Sequence, residues 1–409
     1  MTEPQQRIAI VGGNFAGLTA AIKLSPRHAV TVVDPSRHFE WTPNIHEILS
    51  SVKVPQRLRL DRAAIVRQAG HRFLRDRVTA LHPAQGRLLT AGGRTLAFDA
   101  CIVAVGALWN THRVPGVARH ALPLRSVADA VAIEHRLQAL QRQGKPLRLV
   151  IAGGGVTGIE ALGEVLRRHR RDASLSVELV ESGPRLLPGL PPALDADLRR
   201  LCEPYAVNFR TATAIAAVSA QGVRLAEGTR LRSELTLWTA GLAPPPLLRE
   251  SGLARSAQGW ADVRPTLQSR HFDNVFVAGD AAQLPRAVAK QAYNAIDMGA
   301  LAAANAARFL GGRALQPFKP APKPVLVAFG DLQTYLVAGR TVLASQVLAA
   351  AKEGVHQAFM LQMAPGGVVS ALPAAAGRLW QSWRRLALPQ LLSLADFRKL
   401  PDCKPVRRL

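Results

Sequence analysis

Two glycine-rich loops carry the residue types and spacing best suited to hold a charged ligand. The first reads VGGNFAG, with Gly12 and Gly17 at the outer positions of a GxGxxG pattern and Asn14 at the middle one. The first glycine permits a tight turn, the third lets helix and strand pack closely, and the helix N-terminus stabilises a pyrophosphate. We expect Asn14 to serve in place of the middle glycine because Asn tolerates positive φ, with its amide reaching a phosphate.

The second loop, AGGGVTG, matches the pattern fully through Gly153, Gly155 and Gly158. Each loop is followed, at the end of the next predicted strand, by a carboxylate suited to binding ribose hydroxyls: Asp34 after the first and Glu181 after the second. Because a carboxylate repels a 2′-phosphate, the second loop predicts NADH over NADPH. Arg185 lies close by and keeps NADPH open as the alternative.

Three further segments follow in a fixed order: CIVAVGA at 101–107, LWTAG at 237–241 and NVFVAGDAA at 274–282. Together with the loops they resemble the two-dinucleotide-binding-domain flavoprotein superfamily, the pyridine nucleotide-disulphide oxidoreductase-like proteins, over roughly residues 7–320. The resemblance implies an α/β fold with two Rossmann-like domains of the glutathione-reductase type plus a small C-terminal region. It implies a discontinuous FAD-binding domain (1–122 and 255–322), an NADH-binding domain (123–254) and a C-terminal region (323–409).

The resemblance also implies two sets of binding residues. The FAD set is Gly12, Asn14, Phe15, Ala16, Gly17, Asp34, His38, Val78, Ala104, Gly106, Gly279, Asp280, Lys290 and Gln291. The NADH set is Gly153, Gly155, Val156, Thr157, Gly158, Glu160, Glu181 and Gly241.

Two residues narrow the choice within the superfamily. Type II NADH dehydrogenases usually carry a Gln-rich AQxAxQ segment where this chain has AYNAID at 292–297. The spelling KxAYxA, beginning at Lys290, resembles the ferroptosis suppressor branch of the apoptosis-inducing-factor-like reductases. That resemblance implies catalytic roles for Glu160 and Lys290 beside the flavin, where a lysine stabilises negative charge on the reduced ring. The alternative is a surface lysine and a helix-face glutamate paired with arginine.

Hydrophobic periodicity predicts the elements that position these residues. Strands are expected at 7–11, 30–34, 100–105, 147–152, 176–181, 235–240 and 274–278, and helices at 128–142 and 288–310. Residues 323–339 predict a β-hairpin after a Pro-rich boundary. Residues 378–388 place two tryptophans on one helical face and arginines on the other, which indicates an interfacial helix or a helix packed on the protein or a partner.

Composition limits the partners. Lys and Arg number 52 against 28 Asp and Glu, for a net charge of +24, which favours anionic surfaces. The three cysteines are far apart, so neither a disulfide framework nor a metal site is expected. No signal peptide and no transmembrane helix are expected, so we predict a cytoplasmic protein, peripheral on the inner face of the membrane.

The leading hypothesis is an FAD-dependent oxidoreductase that passes hydride from NADH to flavin and electrons to a quinone-like acceptor at an anionic membrane surface. One alternative acceptor is a small carrier such as a ferredoxin or rubredoxin. Another alternative is a sulfide:quinone reductase, which needs a redox cysteine pair. A non-enzymatic alternative is a redox-sensing or nucleic-acid-binding flavoprotein, although nucleic acid is an unlikely partner on the sequence. A homodimer is also open.

Overall fold

The computed structural model describes residues 5–364 and 398–400. The first of its two units is built on a five-stranded sheet in which every neighbouring pair of strands is parallel. Parallel strands require crossover connections, and helices supply them on the faces of the sheet. The strands lie in the spatial order Val275–Val277, Ala100–Val103, Arg7–Val11, Ala29–Asp34 and Arg72–Arg75.

A second five-stranded parallel sheet repeats this arrangement. In both sheets the strand that leads into a glycine loop is central, and the strand that ends in a carboxylate lies directly beside it. Its strands lie in the order Ala121–Pro123, Leu235–Trp238, Arg148–Ala152, Ser176–Val180 and Val207–Arg210. Two parallel sheets flanked by helices confirm the predicted α/β fold class with two Rossmann-like units. The domain boundaries stay a prediction.

The repeat extends to a three-stranded antiparallel sheet, which precedes Ala100–Val103 in the first unit and Leu235–Trp238 in the second. In the first unit it comprises Val78–His82, Arg87–Thr90 and Thr95–Ala97, and in the second Ile215–Ser219, Gly222–Leu225 and Arg230–Arg232. Short strand pairs complete the structure: His38–Glu40 with Arg59–Asp61, Leu108–Trp109 with Leu242–Ala243, and Ala261–Asp262 with Ala282–Gln283.

Nine α-helices occur among the described residues. They are Phe15–Lys23, Arg62–Gln68, Val117–His120, Val127–Arg142, Val156–His169, Ala193–Cys202, Pro246–Glu250, Ala292–Leu310 and Leu348–Gln362. Short 3-10 helices lie at Thr42–Ile48, Pro55–Leu58, Pro83–Gln85 and Gly279–Ala281.

The long Ala-rich helix begins later than the sequence predicts, at Ala292 and not at 288. Side-chain bonds to the backbone hold the preceding residues in a loop: Asn294 donates to the Ala289 carbonyl at 2.8 Å, and the Lys290 ammonium donates to the Asp280 carbonyl. Such local bonds compete with helical hydrogen bonding. Lys290 and Gln291 therefore lie on a loop and the helix cap, where they can face a ligand.

The predicted C-terminal hairpin is present, as antiparallel strands Val325–Phe329 and Gln333–Ala338. The strands Thr341–Ala344 and Arg398–Lys399 extend it to a four-stranded sheet. The following helix, Leu348–Gln362, packs on the first unit through aromatic contacts. The Phe359 ring lies 4.7 Å from Trp41 and 5.6 Å from Phe39, centroid to centroid. These contacts bring the C-terminal helix over the first glycine loop.

Within the described ranges, no helix combines the length and apolar character needed to cross a bilayer. The amphipathic segment predicted at 378–388 lies outside the described residues.

Candidate functional site

Steric contacts show why both loops require glycine. A Cβ on Gly12 would lie 2.4 Å from the Ala104 carbonyl oxygen, and one on Gly17 would lie 1.8 Å from the Gly12 carbonyl oxygen. In the second loop a Cβ on Gly158 would lie 2.0 Å from the Gly153 carbonyl oxygen. These distances are far below van der Waals contact, so any side chain would force the helix away from the loop. The first and third glycines therefore fix the approach of helix to strand, as the pattern predicts.

The middle glycine position differs between the loops. A Cβ on Gly155 would meet nothing within 4 Å, so glycine there is not needed for protein packing and leaves open space at the helix N-terminus. Asn14 has φ −97°, which corrects the expectation that positive φ explains an asparagine there. Its side-chain oxygen accepts from the Glu40 backbone N–H at 3.2 Å, and its amide donates to the Glu40 carbonyl at 3.4 Å. Asn14 thus ties the loop to a neighbouring strand, and its amide is engaged there rather than aimed at a phosphate.

The two carboxylates occupy equivalent positions. Asp34 accepts the Gly13 backbone N–H at 2.8 Å, and Glu181 accepts the Gly154 backbone N–H at 2.7 Å. Each carboxylate therefore braces its own glycine loop at the place where the ribose of a dinucleotide is expected.

The surroundings of the two carboxylates differ. The buried Arg62 guanidinium pairs with Asp34 and donates to the Gly13 carbonyl through Nε at 2.5 Å. Within the described part of the chain, no arginine or lysine pairs with Glu181. The nearby Arg185 donates to the carbonyls of its own loop, at 2.9 Å to Leu187 and 2.7 Å to Pro188. Arg185 is therefore turned away from Glu181. This geometry weakens the sequence-based argument for NADPH.

One continuous cleft of about 680 Å³ joins the two loops. Predicted residues from both sets line it. From the FAD set these are Gly12, Asn14, Phe15, Ala16, Asp34, Ala104, Gly106, Gly279, Asp280, Lys290 and Gln291, and from the NADH set Val156, Thr157, Glu160 and Gly241.

The other predicted site residues lie outside the lining. Gly17, Gly153, Gly155, Gly158 and Glu181 belong to the loops or brace them. His38 pairs with Asp61 in a short antiparallel ladder, and Val78 pairs with Thr90 at the edge of the first three-stranded sheet.

Glu160 is the centre of a buried charged cluster in the cleft wall. Its carboxylate pairs with the Lys352 ammonium, accepts the Ala328 backbone N–H at 3.1 Å, and lies 3.4 Å from His46 Nδ1. Lys352 Nζ also lies 3.3 Å from His46 Nε2. Burial raises the pKa of Glu160 and lowers the pKa of His46 well below its usual range. A neutral His46 therefore accepts a hydrogen bond from Lys352 through Nε2, and its Nδ1 faces the Glu160 carboxylate.

Lys290 lies in the same cleft beside the loop that carries Asp280. Its ammonium donates to the Asp280 carbonyl and stands 3.6 Å from the Trp260 ring centroid, a cation–π contact. Burial lowers the pKa of Lys290, and burial raises the pKa of Asp280. Glu160 and Lys290 therefore face one cleft from opposite units. The alternative, in which Glu160 pairs with arginine on a helix face, does not describe the structure, because Glu160 is buried and pairs with Lys352.

Sequence reasoning missed Lys352, His46 and Arg62. Neither His46 nor Arg62 belongs to a recognised motif, and Lys352 lies in a helix whose spacing gave no signal, 192 positions from its partner Glu160. The two cysteines among the described residues do not form a redox pair by the cleft. Cys101 and Cys202 are buried free thiols outside its lining, and burial raises the pKa of Cys202 to about 12.

Comparison with known proteins agrees with this geometry. Over residues 6–299 the chain matches the pyridine nucleotide-disulphide oxidoreductase family. A demethylphylloquinone reductase of Synechocystis sp. is 26% identical over 355 residues, covering 81% of this chain and 86% of the relative. A type II NADH:quinone oxidoreductase of Staphylococcus aureus is 23% identical over 362 residues, covering 81% and 89%.

Solved structures share the fold. The structure of NDH2 from Plasmodium falciparum in complex with NADH superimposes with a TM-score of 0.79 at 14% sequence identity, covering 98% of this chain and 100% of that one. The family match spans both glycine loops and the Asp280 segment, so the resemblance predicted from these motifs is confirmed. The chain belongs to the pyridine nucleotide-disulphide oxidoreductase family.

Proposed function

We propose that this enzyme passes hydride from NADH to FAD and then two electrons to a quinone. The observation that carries the proposal is the single cleft in which both glycine loops, Lys290 and the Glu160 cluster meet. The relatives named as quinone reductases share most of the chain's length. Family membership and these relatives bear out the prediction of an NADH oxidoreductase that uses FAD.

The residues present fit two dinucleotides. The helices Phe15–Lys23 and Val156–His169 both begin at the cleft with no side chain capping their first N–H groups. Uncapped N–H groups at a helix N-terminus favour a pyrophosphate. The first loop with Asp34 and Asp280 would hold FAD, and the second loop with Glu181 would hold NADH. Bound FAD supplies the hydride and electron chemistry, and the protein supplies orientation and charge.

The Glu160 cluster suits proton delivery to a quinone. Quinol formation from NADH takes one hydride and one further proton for each quinone. Glu160 is 6% exposed, faces the cleft and has a raised pKa, so its carboxyl can hold a proton at that surface. Lys352 and His46 hold the carboxyl in position, and the Lys352 ammonium balances its charge once the proton has left. Glu160 is therefore the proposed proton donor at the cleft.

The test is steady-state oxidation of NADH by the purified holoprotein with short-chain quinones, a ferredoxin, sulfide and oxygen as separate acceptors. We expect a yellow protein whose flavin absorbance is bleached anaerobically by NADH and restored by quinone. A colourless protein that cannot be reconstituted with FAD would contradict the assignment of FAD as cofactor. Fast turnover with ferredoxin alone would show that the acceptor is a protein and not a quinone.

Glu181→Ser should raise kcat/KM for NADPH and lower it for NADH. The Glu181 carboxylate accepts the Gly154 N–H and is proposed to accept hydrogen bonds from the ribose hydroxyls of NADH. Its removal takes away the charge that would repel the 2′-phosphate of NADPH. Loss of hydrogen bonds to a charged group costs about 1.5–3 kcal/mol, roughly a ten- to hundredfold change. The matched control is Glu178→Ser on the same strand, which pairs with Arg210 outside the cleft and should leave the preference unchanged. A wild type that prefers NADPH would contradict the assignment.

For the membrane partner, we infer reversible binding to anionic lipid surfaces through the C-terminal region. The net charge of +24 and the amphipathic pattern at 378–388 support it. In the acceptor experiment, a lipid-soluble quinone should be reduced faster in anionic vesicles than in neutral ones at low salt, and the difference should fall with added salt. Location on the inner face of the membrane and formation of a homodimer remain proposals based on the sequence.

A further inference from the structure

The two glycine loops differ in the side chain that packs against their second glycine. A Cβ on Gly13 would lie 2.6 Å from Arg62 Cδ, so the arginine side chain lies directly against the first loop. A Cβ on Gly154 would lie 3.0 Å from Leu186 Cδ2 in the second loop. Arg62 and Leu186 therefore occupy equivalent places in the internal repeat, although one side chain is a cation and the other is apolar.

The two carboxylates that follow the loops have matching backbone partners. Besides the N–H of its own glycine loop, Asp34 accepts the Ser36 backbone N–H at 2.8 Å. Glu181 likewise accepts an N–H of its loop and the Gly183 backbone N–H at 2.6 Å. In both cases the second donor lies two residues beyond the carboxylate. The backbone hydrogen bonds therefore do not distinguish the two sites.

The charge that Arg62 brings does distinguish them. Its guanidinium pairs with Asp34, donates to the Gly13 carbonyl through Nε at 2.5 Å and also contacts the Ser36 carbonyl. The arginine side chain is only 3% exposed, so these bonds are shielded from water. In the described part of the chain, Glu181 has no lysine or arginine in the corresponding place. One positive charge thus separates two sites that are otherwise built alike.

The helix that carries Arg62 does not explain its position. Arg62 is the first residue of the helix Arg62–Gln68, where the helix dipole disfavours a cation. The helix is capped by Asp61, which accepts the Ala64 N–H at 2.8 Å. Burial also lowers the pKa of Arg62, so desolvation opposes its charge. The contacts with the glycine loop and with Asp34 are what offset these costs.

The difference in charge affects how firmly each site holds a dinucleotide. A dinucleotide brings a negatively charged pyrophosphate to the helix N-terminus of each loop. At the first loop the Asp34 charge is balanced by Arg62, whereas at the second loop the Glu181 charge is not. Repulsion between carboxylate and pyrophosphate is therefore weaker at the first loop. A resident cofactor needs such a site, while a co-substrate must leave after each turnover.

We propose that Arg62 is the positioning residue that makes the first site, and not the second, retain its dinucleotide. The inference rests on the function proposed above, which assigns FAD to the first loop and NADH to the second. Arg62 acts through the Asp34 carboxylate and the Gly13 carbonyl, which it holds in place and, for Asp34, neutralises.

Release of FAD from the purified holoprotein tests this role, followed by flavin fluorescence after dilution. Arg62→Leu gives the first loop the apolar contact that Leu186 makes in the second. We expect FAD to leave this variant about 10- to 100-fold faster, the scale of hydrogen bonds to a charged group. Arg62→Gln, which keeps an amide donor without the charge, should also release FAD faster than the wild type. Arg62→Lys keeps the charge and should release FAD much more slowly than either.

The comparison of these variants separates charge from packing. Wild-type release rates in Arg62→Leu and Arg62→Gln overturn the proposal, and so does an Arg62→Lys variant that loses FAD as fast as Arg62→Leu. Arg37→Gln is the matched control, because Arg37 pairs with Asp61 at 3.1 Å beside Arg62 but is 63% exposed. It should release FAD at the wild-type rate. An unchanged circular dichroism spectrum establishes folding, and Arg62→Gln supplies the same readout if Arg62→Leu does not fold.

The outcomes also distinguish this inference from the proposed function. FAD release is measured without NADH and without an acceptor, so the identity of the acceptor does not affect it. Holoprotein that NADH bleaches but quinone does not reoxidise overturns the proposed function and leaves the role of Arg62 to the release rates. Unchanged FAD release in Arg62→Leu together with weaker NADH binding would exchange the two loop assignments and overturn the inference.

Discussion

A chain carrying Gly158→Ala should remain yellow but resist bleaching by NADH, whereas Gly17→Ala should lose its flavin. The two glycines are equivalent in the internal repeat, and a Cβ at either would lie 2.0 Å or less from a carbonyl oxygen of its own loop. The methyl group must push the helix from the strand and spoil the pyrophosphate site at its N-terminus. Each substitution should therefore disable one nucleotide site and spare the other.

The measurements are flavin content by absorbance and the rate of anaerobic bleaching by NADH and by dithionite. We expect Gly158→Ala to bleach normally with dithionite, which is indifferent to the NADH site, and at least 100-fold more slowly with NADH, a loss of about 2.7 kcal/mol of transition-state binding. Gly354→Ala is the control, since a Cβ there meets nothing within 4 Å and alanine favours its helix. The opposite pattern, with flavin lost in Gly158→Ala, would exchange the two domain assignments.

The loops were predictable because their constraints are local. The spacing of Gly12 and Gly17 is set by a turn and a helix within six residues, and a buried parallel strand such as Ala100–Val103 can be recognised from its own apolar run. The same holds for the hairpin Val325–Phe329 with Gln333–Ala338. The fold followed because the repeat supplied two such units in one chain.

The Glu160 cluster was not predictable in the same way. Lys352 and His46 reach Glu160 only after the C-terminal helix packs on the first unit, a contact set by aromatic residues distant in sequence. A single lysine at a helix position carries no periodic signal. Asn14 was recognised from the sequence as the residue at the middle glycine position. Its backbone conformation and hydrogen-bond partner were not predicted, because they depend on Glu40 in a strand 26 residues away.

Lys290→Ala should lower NADH:quinone turnover by about 10²–10³ while leaving flavin content near the wild-type level. Lys290 stands in the cleft, held between the Asp280 carbonyl and the Trp260 ring, and neither of these contacts belongs to a glycine loop. Its charge is therefore proposed to stabilise negative charge that develops in the reaction and not to anchor a pyrophosphate. Because desolvated preorganised charges act most strongly in a water-poor site, the effect should be on kcat more than on KM.

Lys323→Ala is the matched control. Lys323 also contacts an aromatic ring, Tyr293, and pairs with Asp297 on the same helix, but it lies outside the cleft lining. The Lys323→Ala substitution removes one positive charge from the same region, so equal losses of turnover in both variants would indicate a general electrostatic effect. Lys290→Ala with full turnover would exclude Lys290 from the reaction, and loss of flavin in proportion to activity would assign it to cofactor binding. We expect retained flavin with a selective fall in kcat, because Lys290 lines the cleft between the two units, where the reaction is proposed to occur.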